Sequence, residues 1–238
     1  MKKQSIFNTL LFSIIMATVW CSLGTLNAQA ASKTTRHKAA YTIKRYSAQY
    51  NGSNGRVSAK YVYELPQLKG NSAFVRKANV SFRKAYRQSL NGKDSAFETA
   101  EYSDKNLTYK DKYFTTTTCK VTYNKNGFVS FRFHHRWYIG GVRNIWTDGV
   151  TYDLKTGKKV NVTNVISGNK KIVKDKIINK YFTKFELRSE SEYTAMLNID
   201  VRKSYFYLQN GNVIVCFGPY LPAGGIGSRK ISLKGNYQ

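Results

Sequence analysis

Two histidines stand side by side, His134 and His135, in the run Phe131-Arg132-Phe133-His134-His135-Arg136-Trp137, with Asp148 and Asp153 a short way downstream. Imidazole and carboxylate are the materials of general acid–base chemistry, and either histidine with Asp148 is the pair a wall hydrolase or deacetylase would use. The run alternates like a strand, whose successive side chains point to opposite faces, so the two imidazoles cannot share one site without a bulge. One is expected to face outward and the other to pack. Asp153 sits where a hairpin wants a turn-initiating aspartate, a role that needs no catalysis. No G-x-S-x-G elbow presents a serine nucleophile. Three His and three Cys, none in a C-x-x-C or H-x-x-x-H spacing, leave little for a zinc site. The expectation is a protein without catalytic residues, metal or cofactor, and a wall-modifying enzyme is the alternative.

The basic residues carry a stronger signal. Lys and Arg number 39 against 13 Asp and Glu in 238 residues, a formal charge of +26. Such a balance produces a field of several kT that draws in polyanions. Outside a cell these are wall teichoic acids, anionic lipid headgroups, extracellular DNA and peptidoglycan carboxylates. No recognised nucleic-acid reading motif is present, so sequence-specific nucleic acid is not expected. Two predicted helices would display cations opposite their apolar stripes: Arg76, Lys77, Arg83, Lys84 and Arg87 on the first, and Lys176, Lys180 and Lys184 on the second. Around Gly140-Gly141, the residues Arg136, Trp137, Tyr138, Arg143 and Trp146 suit either sugar stacking or a packed sheet edge, and Trp137 is assigned to packing.

The elements that must position these groups follow from pattern. Lys2 and Lys3, an apolar stretch from Ile6 to Leu23 and the small residues Ala28 and Ala30 form a signal peptide over 1–30, and predict a secreted, extracytoplasmic protein. Trp20 before Cys21 argues against lipid modification, and no second apolar run of that length follows, so no transmembrane segment is expected after cleavage. Residues 31–40 read as a flexible leader. Tyr41–Tyr50 and Arg56–Leu65 form a hairpin that Pro66 stops, and a helix runs from Ser72 to Asn91-Gly92, with a shorter one over 94–104. Asn126-Gly127 joins Tyr113–Tyr123 to Phe128–Tyr138 as a type I′ hairpin. Ile145–Leu154 returns along Lys158–Val162, and Ser167 caps a helix reaching Phe185. Ser204–Leu208, Val213–Phe217 and Ile231–Leu233 close the chain. The class is α+β, an antiparallel sheet of hairpins with two main helices packed on it, divided into an N-terminal α+β subdomain over 41–106 and a C-terminal sheet-plus-helix domain over 107–238. Hydrophobic residues at 42% and aromatics at 14% suffice for a real core. Cys119 and Cys216 each lie in a strand-like run, and a disulfide between them and two separate buried thiols are both open.

In order, the chain shows Gly140-Gly141, Trp146, Tyr152-Asp153-Leu154-Lys155-Thr156-Gly157-Lys158, Phe206-Tyr207, Gly211 and Gly218-Pro219-Tyr220. That series resembles a bacterial extracytoplasmic domain pair of unknown function found in lysozyme-binding anti-sigma factors and ahead of the catalytic domain of secreted peptidoglycan deacetylases. Tyr63-Glu64-Leu65-Pro66-Gln67-Leu68, followed by a helix with Asn79, is similar to the N-terminal partner of that pair. Arg143 stands where the family usually has His, and Leu221–Gly225 follows Pro219-Tyr220 without the usual acidic residue. The resemblance implies a binding module of the cell envelope, without the deacetylase catalytic domain or a sigma-binding segment. Its loop residues Gly140, Gly141, Arg143, Trp146 and Tyr220 become binding candidates, with anionic polymer or peptidoglycan as ligand and lysozyme as a further partner. Lysozyme is itself basic, so it would have to dock on the acidic islands around Glu98–Asp111 and Glu186–Glu192, and it ranks below anionic polymer.

Overall fold

The computed structural model describes residues 38–106, 112–141, 143–187, 189–220 and 227–237. The expected signal peptide with Ala28 and Ala30, most of the leader, Asp111 and the Leu221–Gly225 loop lie outside the described residues.

A five-stranded sheet runs in the order β1 (Tyr41–Asn51), β2 (Val57–Leu68), β3 (Tyr113–Lys125), β4 (Phe128–Tyr138) and β5 (Asn144–Asp153). Helix α1 (Ala73–Asn106) crosses one of its faces. Helices α2 (Lys170–Lys184) and α3 (Glu190–Leu197) then pack with a second sheet of β6 (Tyr205–Gln209), β7 (Asn212–Phe217) and β8 (Arg229–Lys234). The class is α+β with two mostly antiparallel sheets. The exception is β2 with β3, which pair in parallel because α1 carries the chain back across the sheet before β3 begins. That pair joins residues on both sides of the expected boundary at 106 into one sheet.

Alternation builds the larger core. Tyr61, Tyr63 and Leu65 of β2 and Val129, Phe131 and Phe133 of β4 turn their side chains toward α1, where Val75, Ala78 and Phe82 meet them. Phe82 sits edge-on to Phe131 and Tyr152, with centroids 5.1 and 5.7 Å apart. The second core gathers Val173, Ile177 and Tyr181 of α2, Met196 of α3, and Phe206, Leu208, Val213, Val215 and Ile231 of the small sheet. Asn126-Gly127 and Asn210-Gly211 both hold positive φ at their two central residues, as type I′ turns require.

Three boundaries differ from expectation. First, α1 does not stop at Asn91-Gly92. Gly92 lies inside the helix, where its carbonyl accepts from Thr115 Oγ1 at 3.1 Å and an added Cβ would meet the Thr115 methyl at 3.2 Å. The glycine serves close approach to β3, and the predicted second helix over 94–104 is the same helix continued. Second, β2 passes through Pro66, which pairs with Ile43. β3 flanks β2 only from Ala59 to Tyr63, so Pro66 lies on a free edge where its missing N–H costs no ladder bond. Third, Asn169 rather than Ser167 caps α2, accepting from Ile172 N–H at 3.0 Å. Ser167 instead offers its carbonyl to Lys176 Nζ at 2.7 Å.

Candidate functional site

β4 places His134 and His135 on opposite faces of the large sheet. His135 faces α1, with Nε2 3.1 Å from Asp148 Oδ2 on β5 and Nδ1 3.0 Å from Thr117 Oγ1 on β3. Cross-strand register brings these groups together: His135 is opposite Thr117 on one side and Trp146 on the other. With Nε2–H donating to the Asp148 carboxylate, Nδ1 accepts from the Thr117 hydroxyl, and both ring nitrogens are satisfied. Trp146 stacks on the imidazole at 4.7 Å and 13° from parallel. The Thr–His–Asp order is that of a hydroxyl nucleophile relay with the two ring nitrogens exchanged. Thr117 is only 4% exposed, so its hydroxyl cannot reach a substrate. Asp153 is not part of this group. Its Oδ1 accepts from Lys155 N–H at 2.7 Å, which makes it the turn residue the sequence pointed to.

His135 and Asp148 open into a cleft of about 410 Å³ between α1 and the sheet. Lys84 and Gln88 of α1 form one wall, and Lys159 and Tyr205 close the far end. A residue of the first helix face and the His–Asp pair thus border the same space.

The other α1 cations, Arg76, Lys77, Arg83 and Arg87, are exposed. Arg76 Nη1 donates to the Asn71 carbonyl near the start of the helix. On α2, Lys176, Lys180 and Lys184 are exposed too, yet Lys176 is tied to Ser167 and Lys184 Nζ donates to the Lys230 carbonyl at 2.8 Å. The two helix faces are therefore unequal, because carbonyls of the fold hold two of the three α2 lysines but only Arg76 of the α1 set.

The loop candidates divide. Gly140 and Gly141 hold φ of 102° and 72° in an exposed turn between β4 and β5. Arg143 lies over the rings of Phe114 (5.6 Å) and Tyr138 (5.5 Å), on the face of the sheet away from α1. Tyr220 is 59% exposed and its hydroxyl accepts from Asn144 Nδ2 at 3.0 Å. Trp146 stacks on His135, opposite it in the β4–β5 register. Gly140–Trp146 is thus a corner between two surfaces, not a single pocket.

Cys119 and Cys216 are free thiols, buried in different sheets. Burial pushes the Cys119 thiol up and that of Cys216 to about 12, so neither is a ready nucleophile. Of the two readings left open by sequence, the structure gives the separate thiols. Thr117, Phe114, Lys60 and Lys112 were not singled out in the sequence. Alternation within Tyr113–Thr118 put Phe114, Thr116 and Thr118 on one face and Thr117 on the other, but only the parallel pairing with β2 placed Lys60 beside Phe114.

Residues 52–143, from the β1–β2 turn to the loop after β4, match the family model described as "Deacetylase PdaC". Among solved structures, a member of the DUF3298 family from Bacteroides fragilis is similar at a TM-score of 0.56 and 11% identity, over 84% of this chain and 92% of that one. A DUF3298 family protein from Pseudomonas aeruginosa has a TM-score of 0.46 and 13% identity, over 82% and 91%. No curated protein matches. The resemblance read from the sequence therefore holds: the chain is similar to the deacetylase-associated domain over the matched segment and shares the DUF3298 fold over most of its length. Among the described residues, no helix is long and apolar enough to cross a membrane.

Proposed function

We propose that the chain is a secreted, non-catalytic binding module of the bacterial cell envelope, which holds anionic wall polymer or peptidoglycan. The observation that carries this reading is the uneven fate of the charges. The acidic residues are largely engaged by the protein itself. Glu192 is fully buried against Arg229 and Tyr181. Asp104 accepts from Ser53 N–H at 2.9 Å, Glu101 pairs with Lys105, Asp94 with Lys93, and Glu64 with Arg45. Arg76, Lys77, Arg83, Lys84 and Arg87 of α1 remain exposed, and the sequence carries a net charge of +26. A surface of that kind favours a polyanion by long-range attraction.

The same distribution disfavours lysozyme, a basic partner. Of the acidic islands it would need, Glu192 is inaccessible and Glu101 and Asp104 are already paired.

The His135–Asp148 pair favours a second reading, a wall-modifying hydrolase or deacetylase. Incubation of the purified protein with peptidoglycan separates the two. The binding reading expects no turnover, whereas turnover abolished by His135→Ala would establish the enzyme.

The test of the binding reading itself is a titration with wall polymer at several salt concentrations, on the wild type and on Arg83→Ala/Arg87→Ala and Lys180→Ala/Lys184→Ala. Both pairs should weaken binding, the α1 pair more, because Lys184 is held by the Lys230 carbonyl. Wild-type affinity that ignores salt would defeat a charge-driven mechanism.

A further inference from the structure

The face of the large sheet turned away from α1 carries a groove of about 660 Å³. Register builds it rung by rung: Phe114 faces Tyr138, Thr116 faces Arg136, and Thr118 faces His134. Lys60 of β2 lies opposite Phe114 on the other side, and Lys112 precedes β3. Among the described residues, the groove lining includes Arg45, Lys60, Lys112, Arg136 and His134 and no Asp or Glu. Glu64, the nearby acid of β2, is occupied by Arg45 at 3.0 Å and by Cys119 N–H at 2.8 Å.

One relationship on this face works against the free protein. Arg136 and Arg143 converge on the one ring of Phe114, at 5.1 and 5.6 Å, with no acidic partner for either guanidinium among the described residues. A solvated sheet face ordinarily mixes signs. Here an anion would relieve the repulsion between the two guanidiniums.

We propose that this groove binds a linear polyol-phosphate chain, with Arg136, Arg143, Lys60 and Lys112 taking successive phosphates and the Thr116 and Thr118 hydroxyls donating to them from the floor. The inference rests on the anionic-polymer reading above and gives it a polymer class and a place. The four cations belong to β2, the entry to β3, β4 and the entry to β5, and neighbouring strands lie about 4.8 Å apart, so they line a path across the strands for one extended chain. Single-stranded nucleic acid is the poorer fit, because it relies on open aromatic plates for its bases, and the Phe114 ring is covered by two guanidiniums. His134 supplies a reporter in the groove floor. Burial lowers its pKa, and so do His135, Arg132 and Arg136 on its own strand and Lys230 on β8; Thr147 of β5 and Thr118 of β3 flank it without charge. Phosphate beside it would raise that value.

The experiment is a titration of the full chain with fluorescent poly(glycerol phosphate) at several salt concentrations, with oligo(dT) of equal charge as comparison. Arg136→Gln/Arg143→Gln should weaken poly(glycerol phosphate) binding at least tenfold, more than Arg83→Ala/Arg87→Ala does, and lower the salt slope by about 1.4, near 0.7 for each contact removed. Lys60→Gln/Lys112→Gln, which leaves the stacked arginines alone, should give a comparable loss, so that a folding defect in the arginine pair cannot decide the matter. In the wild type, the NMR titration of His134 should move to higher pH when polymer is added. A wild type that binds while both groove pairs change affinity less than twofold removes the groove and keeps the polymer reading. A wild type that does not bind poly(glycerol phosphate) at low salt overturns both, and equal or tighter binding of oligo(dT) overturns the polyol-phosphate class.

Discussion

Asn79 of α1 grips the backbone of Leu68 at two points: its Oδ1 accepts from the Leu68 N–H and its Nδ2 donates to the Leu68 carbonyl, both at 2.9 Å. A side-chain amide thus stands in for the neighbouring strand that β2 lacks beyond Tyr63, and ties the helix to the end of the sheet. The prediction is that Asn79→Ala leaves both backbone groups of Leu68 unpaired and costs about 1–3 kcal/mol in urea unfolding. Asn79→Asp, which can accept but not donate, should recover little of it. A loss below about 0.5 kcal/mol for Asn79→Ala would mean that water replaces the clamp.

Gly149 fixes how the two sheets meet. A Cβ there would lie 2.7 Å from the Phe206 carbonyl oxygen and 2.8 Å from Tyr207 Cβ, so β5 and β6 could not keep their approach. Gly149→Ala is expected to lower stability by about 1–3 kcal/mol, the usual cost of overpacking, with a reduced Tm by calorimetry. An unchanged Tm would show that β6 yields without strain.

Among the described residues, the Glu192–Arg229 pair is the most buried ionic contact, with side chains 0% and 8% exposed and the Tyr181 hydroxyl between them. Breaking it from one side leaves an unpaired charge inside the second core. Glu192→Ala should therefore cost about 3–5 kcal/mol, whereas Glu192→Met/Arg229→Met should be far milder, because the desolvation cost disappears with the pair. A double variant less stable than Glu192→Ala alone would contradict this account.

The hairpins were legible in the sequence because Asn126-Gly127 and Asn210-Gly211 carry their geometry locally, and the stripe through Phe82 and Tyr181 marked the helix faces. The parallel β2–β3 pair was not legible. It depends on α1 running past Gly92, and a glycine chosen for contact with Thr115 reads like a glycine that ends a helix. The same pairing sets Lys60 beside Phe114, so the groove has no linear signature. His135 and Asp148 could be named from their types, but their union with Thr117 and Trp146 needed the register of three strands.

Stability should also depend on pH through His134. Burial and the surrounding cations hold its pKa below the ordinary 6.5, so the unfolded chain binds a proton at a higher pH than the folded one does. The contribution is complete above about pH 6.5 and declines as pH falls toward the folded value. His134→Gln should flatten the stability profile in that window. A profile of unchanged slope would assign the pH dependence to other groups.

The most direct test of the central claim is the affinity of the wild-type protein for anionic wall polymer as a function of salt. Binding by exposed cations predicts a linear fall of log affinity with log salt, with a negative slope that grows with the number of phosphates engaged. A flat dependence, or equal affinity for an uncharged glycan of the same length, would contradict it.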